Sequence, residues 1–260
     1  MLINSYRFAT ASTPWTPAQI TTALWLDASD AGTVDASSVG QWNDKSGNGR
    51  NATQGTAANK PTYTAAGQNG LNVLTFDGTN DWMAIPDSTN PSGASGTFAA
   101  CKPTHTAAAT GLIIGRAYNW GPWYLSSTTT GASARYNLGR NGVDEASAIV
   151  TGLTNSTNKI LSGTYNNTNV SLSVDGGTAV NTAYAFNPIY NTNDSSTIGA
   201  FRSGSSIAGV FGGLVYEIIV VHSAPSQDTI QRIQGYLAHK WGLTANLPAG
   251  HPYKSAAPTV

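Results

Sequence analysis

Residues 169–177 read NVSLSVDGG, and this stretch shows the secondary structure of the chain most clearly. Its three apolar residues alternate with asparagine and serine, which is typical of a β-strand with one buried and one wet face. The Asp-Gly-Gly sequence at its end predicts a tight turn, because glycine adopts positive φ without steric cost. The stretch therefore predicts a strand followed by a chain reversal.

Short runs rich in β-branched and aromatic residues recur along almost the whole chain, separated by Gly, Asn, Ser, Thr and Pro. Such runs predict strands, and the residues between them predict turns. The longest apolar run, residues 210–222, is predicted to be a central strand. Strands do not alternate with helices, so the pattern indicates a β-sandwich. The other clear strand predictions are 23–27, 71–77, 81–85, 111–116 and 159–165.

Residues 226–241 break the strand pattern. Their apolar residues recur at helical spacing on one face and end at Trp241. Ser226 can cap the amino terminus, and Gly242 follows the last turn, as is typical of helix ends. The segment predicts one α-helix that packs against the edge of the sandwich.

The charge of the chain is low and balanced. Charged residues make up 10% of the 260 residues, with 13 Lys and Arg against 13 Asp and Glu. An average soluble domain carries about 25%. We expect neither nucleic acid nor a membrane as partner, because the sequence has no basic stripe, no polybasic segment and no long apolar span. The single cysteine, Cys101, excludes an internal disulfide and is predicted to be buried.

Two groups of motifs mark the beginning and the end of the chain. The first group is LWLDA at 24–28, QWNDKSGNGRNA at 41–52 and LTFDGTNDW at 74–82; the second is IQGYLAHKWGL at 233–243, Leu247-Pro248 and His251-Pro252-Tyr253. With these motifs the chain resembles concanavalin A-like, laminin-G-type jelly-roll domains, which occur in many phage and bacterial surface proteins. The second group is similar to the tail of this domain in phage virion proteins. The resemblance covers nearly the whole chain.

The resemblance implies an all-β fold, a concanavalin A-like jelly-roll sandwich of two antiparallel sheets with one C-terminal α-helix. We expect an N-terminal arm at 1–17, the jelly-roll domain at 18–245 and a surface tail at 246–260. The resemblance further implies a capsid decoration or tail-associated protein, with other virion proteins as partners and homo-oligomers as its state. Such a protein would be made in the host cytoplasm without a signal peptide and work on the virion surface.

Glycoside hydrolases also use this fold, and a retaining enzyme needs two carboxyl groups about 5–5.5 Å apart. The chain has only two glutamates, Glu145 and Glu217, and neither belongs to a Glu-x-Asp-x-Glu pattern. Asp144 and Glu145 are adjacent, so on a strand they point to opposite faces. Glu217 lies within the predicted central strand and is expected to be a paired or edge-facing carboxylate. We therefore predict no catalytic residue.

The candidate carbohydrate site lies in residues 118–124, YNWGPWY. Aromatic rings offer apolar faces to the CH groups of sugars, and asparagine offers both a donor and an acceptor. The Gly-Pro turn can expose Trp120 while Trp123 packs inward. The alternative is that these tryptophans belong to the core, as most do in a sandwich. The predicted sugar-binding residues are Tyr118, Asn119, Trp120 and Trp123.

Two loops carry the oxygen-bearing side chains that calcium prefers. The first contains Asp44 and Asn48, and the second contains Asp77 and Asp81. Laminin-G-type domains often bind calcium at loop rims, which favours the same prediction. The alternative is that each loop is an Asx turn, in which Asp and Asn side chains bond their own backbone.

The first residues of the chain are apolar and lie ahead of the strand pattern. Leu2, Ile3, Tyr6 and Phe8 are predicted to attach the protein to the virion or to a neighbouring subunit, for instance by strand addition. The sequence thus favours a non-enzymatic phage virion protein that is lectin-like and binds host or environmental glycans. The alternatives are a bacterial carbohydrate-binding module or adhesin and, third, a glycoside hydrolase.

Overall fold

The structure, a computed structural model, consists mainly of short antiparallel strands. It describes residues 12–35, 39–104, 110–116, 123–128, 133–140, 144–187, 196–203 and 206–260. The strands in these ranges are β1 (Leu24–Asp27), β2 (Gln41–Trp42), β3 (Ala52–Thr53), β4 (Thr62–Gln68), β5 (Leu71–Asp77), β6 (Met83–Ile85), β7 (Ser95–Pro103), β8 (Thr110–Arg116), β9 (Trp123–Thr128), β10 (Ser133–Arg140), β11 (Asp144–Val150), β12 (Lys159–Tyr165), β13 (Asn169–Val174), β14 (Val180–Ala183), β15 (Ser196–Ile198), β16 (Phe201–Ser203), β17 (Ser206–Ala208) and β18 (Gly212–Val221). The α-helix is α1 (Gln227–Lys240), and 3₁₀ helices occupy Pro17–Gln19, Ala57–Asn59, Asp87–Thr89 and Thr244–Asn246.

Two antiparallel sheets form the sandwich in the described part of the chain. The back sheet has the order β14-β13-β12-β7-β18-β5-β4, with β1 also paired to β18. The front sheet has the order β11-β10-β9-β8-β15-β6-β3-β2, and β16 and β17 form a separate hairpin. With α1, these sheets form a jelly-roll sandwich, so the predicted all-β fold is confirmed. β18 lies between β7 and β5, as a central strand should.

The main core lies between the two sheets and contains alternate residues of each strand. Val170 and Leu172 of β13 point into it and are fully buried, as the alternation in this segment predicts. Gly163 of β12 lies against the ring of Tyr136 from the front sheet, and a Cβ here would come within 2.4 Å of that ring. The missing side chain of glycine therefore lets the two sheets approach closely at this point.

Helix α1 packs on the back face, which is the surface of the back sheet that points away from the front sheet. Ile233 and Trp241 on its apolar side form a second core cluster with back-face residues. The ring of Trp241 stacks on that of Tyr216, with centroids 5.1 Å apart. Ser226 caps the helix by accepting a hydrogen bond from the N–H of Thr229 over 3.1 Å. The predicted helix and its cap are confirmed. Its predicted position at the edge of the sandwich is wrong, because the apolar side chains of the central strands β7 and β18 on the back face form the surface that it covers.

The predicted strands agree with the structure to within about two residues. The strand predicted at 81–85 begins later, at Met83. The reason is that Asp81 belongs to a turn, where its carboxylate accepts a hydrogen bond from the N–H of Asp77 over 2.9 Å. The apolar run at 210–222 forms β18 over its inner part, and Cys101 on the neighbouring β7 is fully buried, as predicted.

The two described ends of the chain meet on the domain. Trp15 is buried, and its backbone N–H donates to the carbonyl of Pro258 over 2.9 Å. Pro14 and Thr259 form a β-bridge. Residues 12–17 of the predicted arm therefore pack on the sandwich together with the end of the predicted tail. In the described ranges, no helix has the length and apolar character that crossing a membrane requires.

Candidate functional site

A groove opens on the back face beside the amino-terminal half of α1, and we call it the back-face groove. Its volume is about 380 Å³. Strands β12, β13 and β14 supply its floor, α1 supplies one wall, and the turn after β13 supplies another. Its polar side chains include Ser162, Thr164, Ser171, Ser173, Asn181, Gln227 and Gln234. Among the described residues that line the groove, none is charged.

Strand pairing sets the spacing of these polar groups. The alternation that buries the apolar residues of β13 turns its intervening serines toward the groove. Ser162 lies opposite Ser173, and Thr164 lies opposite Ser171, in the register of β12 and β13. Asn181 lies on the other side of Ser171 and accepts a hydrogen bond from its hydroxyl over 2.6 Å. The floor is therefore a regular row of small, neutral polar groups.

One buried amide joins the floor to the helix wall. Gln234 of α1 donates from Nε2 to the hydroxyl oxygens of Ser162, at 3.0 Å, and Ser173, at 3.1 Å. Its Oε1 lies 3.2 Å from Nε2 of His251 in the C-terminal segment. His251 also packs against Gly176, where a Cβ would lie within 2.9 Å of the imidazole. The turn, the helix and the C-terminal segment thus meet beneath the groove.

The sequence contained a partial signal for this site. The alternation in 169–174 predicts that Ser171 and Ser173 face solvent. Ser171 is half-buried, but Ser173 is buried, because Gln234 of α1 covers it. Gln234 and His251 belong to the motifs at 233–243 and 251–253, where nothing in the local pattern marks them as partners. The contacts of Gln234 with the two serines and with His251 depend on how α1 and the C-terminal segment pack on the sheet, which no local pattern encodes.

A second set of polar side chains lies on the front face, the surface of the front sheet that points away from the back sheet. Tyr124 and Asn137 are register partners there, as are Ser126 and Arg135. Within the described part of the chain, Ser126 Oγ and Arg135 Nε are buried without a hydrogen-bond partner. Tyr124, Ser126 and Asn137 are all buried, so they present little polar surface to a ligand. In the back-face groove, Ser162, Ser173 and Gln234 at the base are buried as well, but Asn181 and Gln227 are exposed, so the groove is the more accessible of the two surfaces.

The residues predicted to bind carbohydrate and to attach the protein are mostly outside the described residues. Trp123 is the exception: it is the first residue of β9, is fully buried and contacts Thr97 Oγ1 through Nε1 at 3.4 Å. Trp123 is therefore a core residue and presents no ring face to a sugar. The predicted residues outside the described ranges are Tyr118, Asn119, Trp120, Leu2, Ile3, Tyr6 and Phe8.

In the first predicted calcium loop, the Asp44 carboxylate binds its own loop. Its Oδ1 accepts from the backbone N–H groups of Trp25, at 3.0 Å, and Ser46, at 2.9 Å. Its Oδ2 accepts from the hydroxyl of Ser46, at 2.7 Å, and the N–H of Arg50, at 3.0 Å. Asn48 donates to the carbonyl of Thr22 over 2.9 Å. These contacts form an Asx-type turn that fixes the start of β1.

The second predicted calcium loop has the same character. Asp77 Oδ1 accepts from the N–H groups of Thr79, at 2.8 Å, and Asn80, at 3.1 Å. Burial raises the pKa of Asp81 to about 6. Within the described ranges, no three His, Cys, Asp or Glu side chains lie close enough together to hold a metal ion. Calcium binding by Asp44, Asn48, Asp77 and Asp81 stays a prediction.

The buried carboxylate Glu217 occupies the centre of a polar network between the back sheet and α1. Its Oε1 accepts from Nε1 of Trp25, at 2.7 Å, and from the hydroxyl of Tyr236, at 2.9 Å. Its Oε2 accepts from Nζ of Lys240, at 2.8 Å, and Nε1 of Trp241, at 2.9 Å. Burial raises the pKa of Glu217, and the charge of Lys240 offsets part of this shift. All four donors belong to the motifs at 24–28 and 233–243, which therefore join the helix to the sheet.

Asp27 extends this network to the surface. It is the register partner of Glu217 and forms ion pairs with Lys240, at 2.7 Å, and Lys45, at 2.9 Å. Burial acts to raise the pKa of Asp27, but the nearby charge of Lys240 and the hydrogen bonds outweigh it, and the pKa is lowered.

Glu145, the other glutamate of the chain, lies on β11 of the front sheet. The two glutamates therefore belong to different sheets and form no catalytic pair.

No family model matches the sequence, and no curated protein matches it. Among solved structures, the chain is similar to domain 4 of AbnA, a GH43 extracellular arabinanase from Geobacillus stearothermophilus, in complex with arabinotriose. The TM-score is 0.60 at 15% identity, over 82% of this chain and 98% of that one. The chain is also similar to the binding domain of botulinum neurotoxin serotype D, with a TM-score of 0.59 at 12% identity, over 82% of this chain and 50% of that one.

A third similar structure is the binding domain of botulinum neurotoxin DC in complex with SialylT, with a TM-score of 0.54 at 10% identity, over 84% of this chain and 52% of that one. The chain thus spans about half the length of the two neurotoxin chains. At these identities, the similarity shows the fold alone. The fold is that of a jelly-roll β-sandwich.

Proposed function

We propose that this protein is a lectin-like, non-enzymatic domain that binds glycans in the back-face groove. The observation that carries the proposal is the lining of the groove, which combines hydroxyl and amide side chains with no charged one. Sugars present many hydroxyl and ether oxygens without charge, and neutral donors and acceptors at fixed spacing match that chemistry. Strand pairing supplies the fixed spacing.

The solved structures of the same fold support this proposal. The arabinanase domain is named as a complex with arabinotriose, and the neurotoxin chains are named as binding domains. The distribution of glutamates favours binding over hydrolysis. Glu217 is fully buried and accepts four hydrogen bonds, and Glu145 belongs to the other sheet. Neither therefore serves as half of a retaining pair in the groove.

A steric block of the groove tests this function. Ala179 is exposed and lines the groove, so Ala179→Trp should fill it without disturbing the core. Ala256 is also exposed and does not line the groove, so Ala256→Trp is the matched control. We expect the unmodified protein and Ala256→Trp to bind the same sugars on an array of neutral and acidic glycans, and Ala179→Trp to lose them. Equal binding by all three proteins, or by none, would refute the proposal.

At finer detail, we propose that the protein is carried on the surface of a phage particle, as a capsid decoration or tail-associated subunit. The support is the resemblance of the motifs at 233–253 to the tail of this domain in phage virion proteins, together with the resemblance of those at 24–82 to jelly-roll domains of phage and bacterial surface proteins. Leu2, Ile3, Tyr6 and Phe8 are proposed to attach it, in a homo-oligomer. Deletion of residues 1–11 should then abolish rebinding to purified particles while the circular dichroism spectrum stays that of the full chain; normal rebinding would exclude this role for the arm.

A bacterial carbohydrate-binding module or adhesin is the second candidate. The observation that favours it is the similarity to domain 4 of the arabinanase, which this chain matches over 98% of that domain. Particle association separates the two candidates. Specific sugar binding together with no association to capsids or tails would favour the bacterial module.

A further inference from the structure

The proton positions beneath the groove can be derived from a single backbone donor. The N–H of Tyr253 points at Nδ1 of His251 over 3.2 Å. A backbone N–H can only donate, so Nδ1 accepts and carries no proton. Burial lowers the pKa of His251, so the imidazole is neutral at neutral pH. A neutral imidazole with a bare Nδ1 carries its proton on Nε2.

This proton fixes the orientation of the next side chain. His251 Nε2–H donates to the oxygen of Gln234 that lies 3.2 Å away. The amide nitrogen of Gln234 then faces the sheet, where it donates to Ser162 and Ser173 at 3.0 and 3.1 Å. These hydrogen bonds all have the same direction: the C-terminal segment donates to the helix, and the helix donates to the floor of the groove.

Both serine hydroxyls are therefore used as acceptors by the protein, and each keeps its own hydrogen. Among the described residues, neither hydroxyl has an acceptor within hydrogen-bond distance. The two serines are register partners on β12 and β13, so the two free donors lie side by side. The neighbouring Ser171 differs, because its hydroxyl already donates to Asn181. The floor thus offers two oriented donors at one point.

We infer that Gln234, oriented by His251, determines the specificity of the back-face groove: it sets the hydroxyls of Ser162 and Ser173 to donate to the ether or hydroxyl oxygens of a neutral glycan chain. This inference rests on the proposed function and names its ligand class. An acidic sugar is disfavoured, because its carboxylate would lose water in a groove whose lining has no positive charge. The motif His251-Pro252-Tyr253 is then part of the proposed binding site.

The replacement Gln234→Glu reverses the polarity of the floor at constant size. A carboxylate can only accept, so Ser162 and Ser173 would turn their hydrogens inward and offer lone pairs to the ligand. Gln231 lies on the same helix and does not line the groove, so Gln231→Glu is the control for the added charge. We expect Gln234→Glu to weaken the binding of neutral trisaccharides by roughly tenfold or more, the effect of about one hydrogen bond. Gln231→Glu should bind like the unmodified protein.

The probes are arabinotriose, maltotriose and cellotriose, titrated into ¹⁵N-labelled protein and followed by NMR. Binding of at least one probe, with a shift of the side-chain amide signal of Gln234, supports the inference. Unchanged binding by Gln234→Glu refutes the inference and leaves the proposed function intact. Binding of acidic sugars alone also refutes the inference. If the unmodified protein binds no sugar of any kind, the proposed function fails together with the inference.

A second measurement needs neither a variant nor a ligand. The ¹⁵N shifts of an imidazole distinguish the protonated nitrogen from the bare one. We expect His251 in the unmodified protein to carry its proton on Nε2 at neutral pH. A proton on Nδ1 would reverse the chain of hydrogen bonds and refute the inference, even if Gln234→Glu does not fold.

Discussion

The indole nitrogen of Trp241, at the end of α1, donates to Glu217 Oε2 on β18 over 2.9 Å. Glu217 is fully buried and accepts from three other side chains, so this bond belongs to the network that joins the helix to the back sheet. A buried charge is tolerated only when it is paired and hydrogen-bonded. The network therefore depends on all of its members being present.

Glu217→Gln should destabilise the protein by about 3–5 kcal/mol, because it removes one partner of a buried ion pair and places an amide donor among donors. The measurement is the free energy of unfolding in urea. Asp228→Asn is the control, since Asp228 forms an exposed ion pair with Arg232, and we expect it to change stability by about 0.5 kcal/mol or less. A similar small effect of both replacements would mean that the network contributes little.

Asp44→Ala should destabilise the protein by about 2–3 kcal/mol, because four donors lose the carboxylate that they share. The same urea titrations, repeated with calcium and with EDTA, also test the predicted metal site. If the loop acts only as an Asx turn, calcium will not change the stability of the unmodified protein. A gain in stability that appears with calcium and disappears in Asp44→Ala would establish the site.

Asp81 gives the chain a specific pH dependence. Its folded pKa, about 6, lies above the value of a free aspartate, so the folded state binds the proton more tightly than the unfolded state. The resulting stability is fully present below about pH 4 and is lost as the pH rises through about 6. Asp81→Asn should therefore stabilise the protein by about 1–2 kcal/mol at pH 7, after allowance for partial solvation, and leave its stability unchanged near pH 4. Parallel urea titrations at the two pH values measure this; an equal effect at both would contradict the assignment.

Local sequence patterns predict the secondary structure of this chain, but they do not predict contacts between residues far apart in the sequence. The strand at 169–174 and the helix with its Ser226 cap follow from periodicity, so their positions were predicted. The contact of Gln234 with Ser162 joins residues 72 positions apart, and no periodicity encodes it. Trp25 and Lys240 belong to motifs at opposite ends of the chain, and no periodicity shows that both contact the buried Glu217. In each case the sequence shows the residue within a motif or an alternating segment, but it does not show which residue that side chain contacts.

Gly235 shows how such a tertiary contact can reverse a local rule. In the middle of a helix, Gly→Ala normally stabilises a protein by about 0.5–1 kcal/mol, because alanine has the higher helix propensity. Here a Cβ would lie 2.4 Å from Cβ of Tyr253, so the C-terminal segment would have to move. We expect Gly235→Ala to destabilise the protein by about 1–3 kcal/mol, the usual effect of overpacking.

The double variant Gly235→Ala, Tyr253→Gly isolates this clash, because only glycine at 253 removes the Cβ that the new methyl group would meet. Relative to Tyr253→Gly alone, the added alanine should then be neutral or stabilising, since both the Cβ and the ring that it meets are gone. Urea unfolding of the four proteins gives the coupling energy between the two positions. The displaced segment also carries His251, so Gly235→Ala should disturb the hydrogen bond from His251 to Gln234 and weaken sugar binding as well. An additive double variant would show that Gly235 is present for a reason other than the packing of Tyr253.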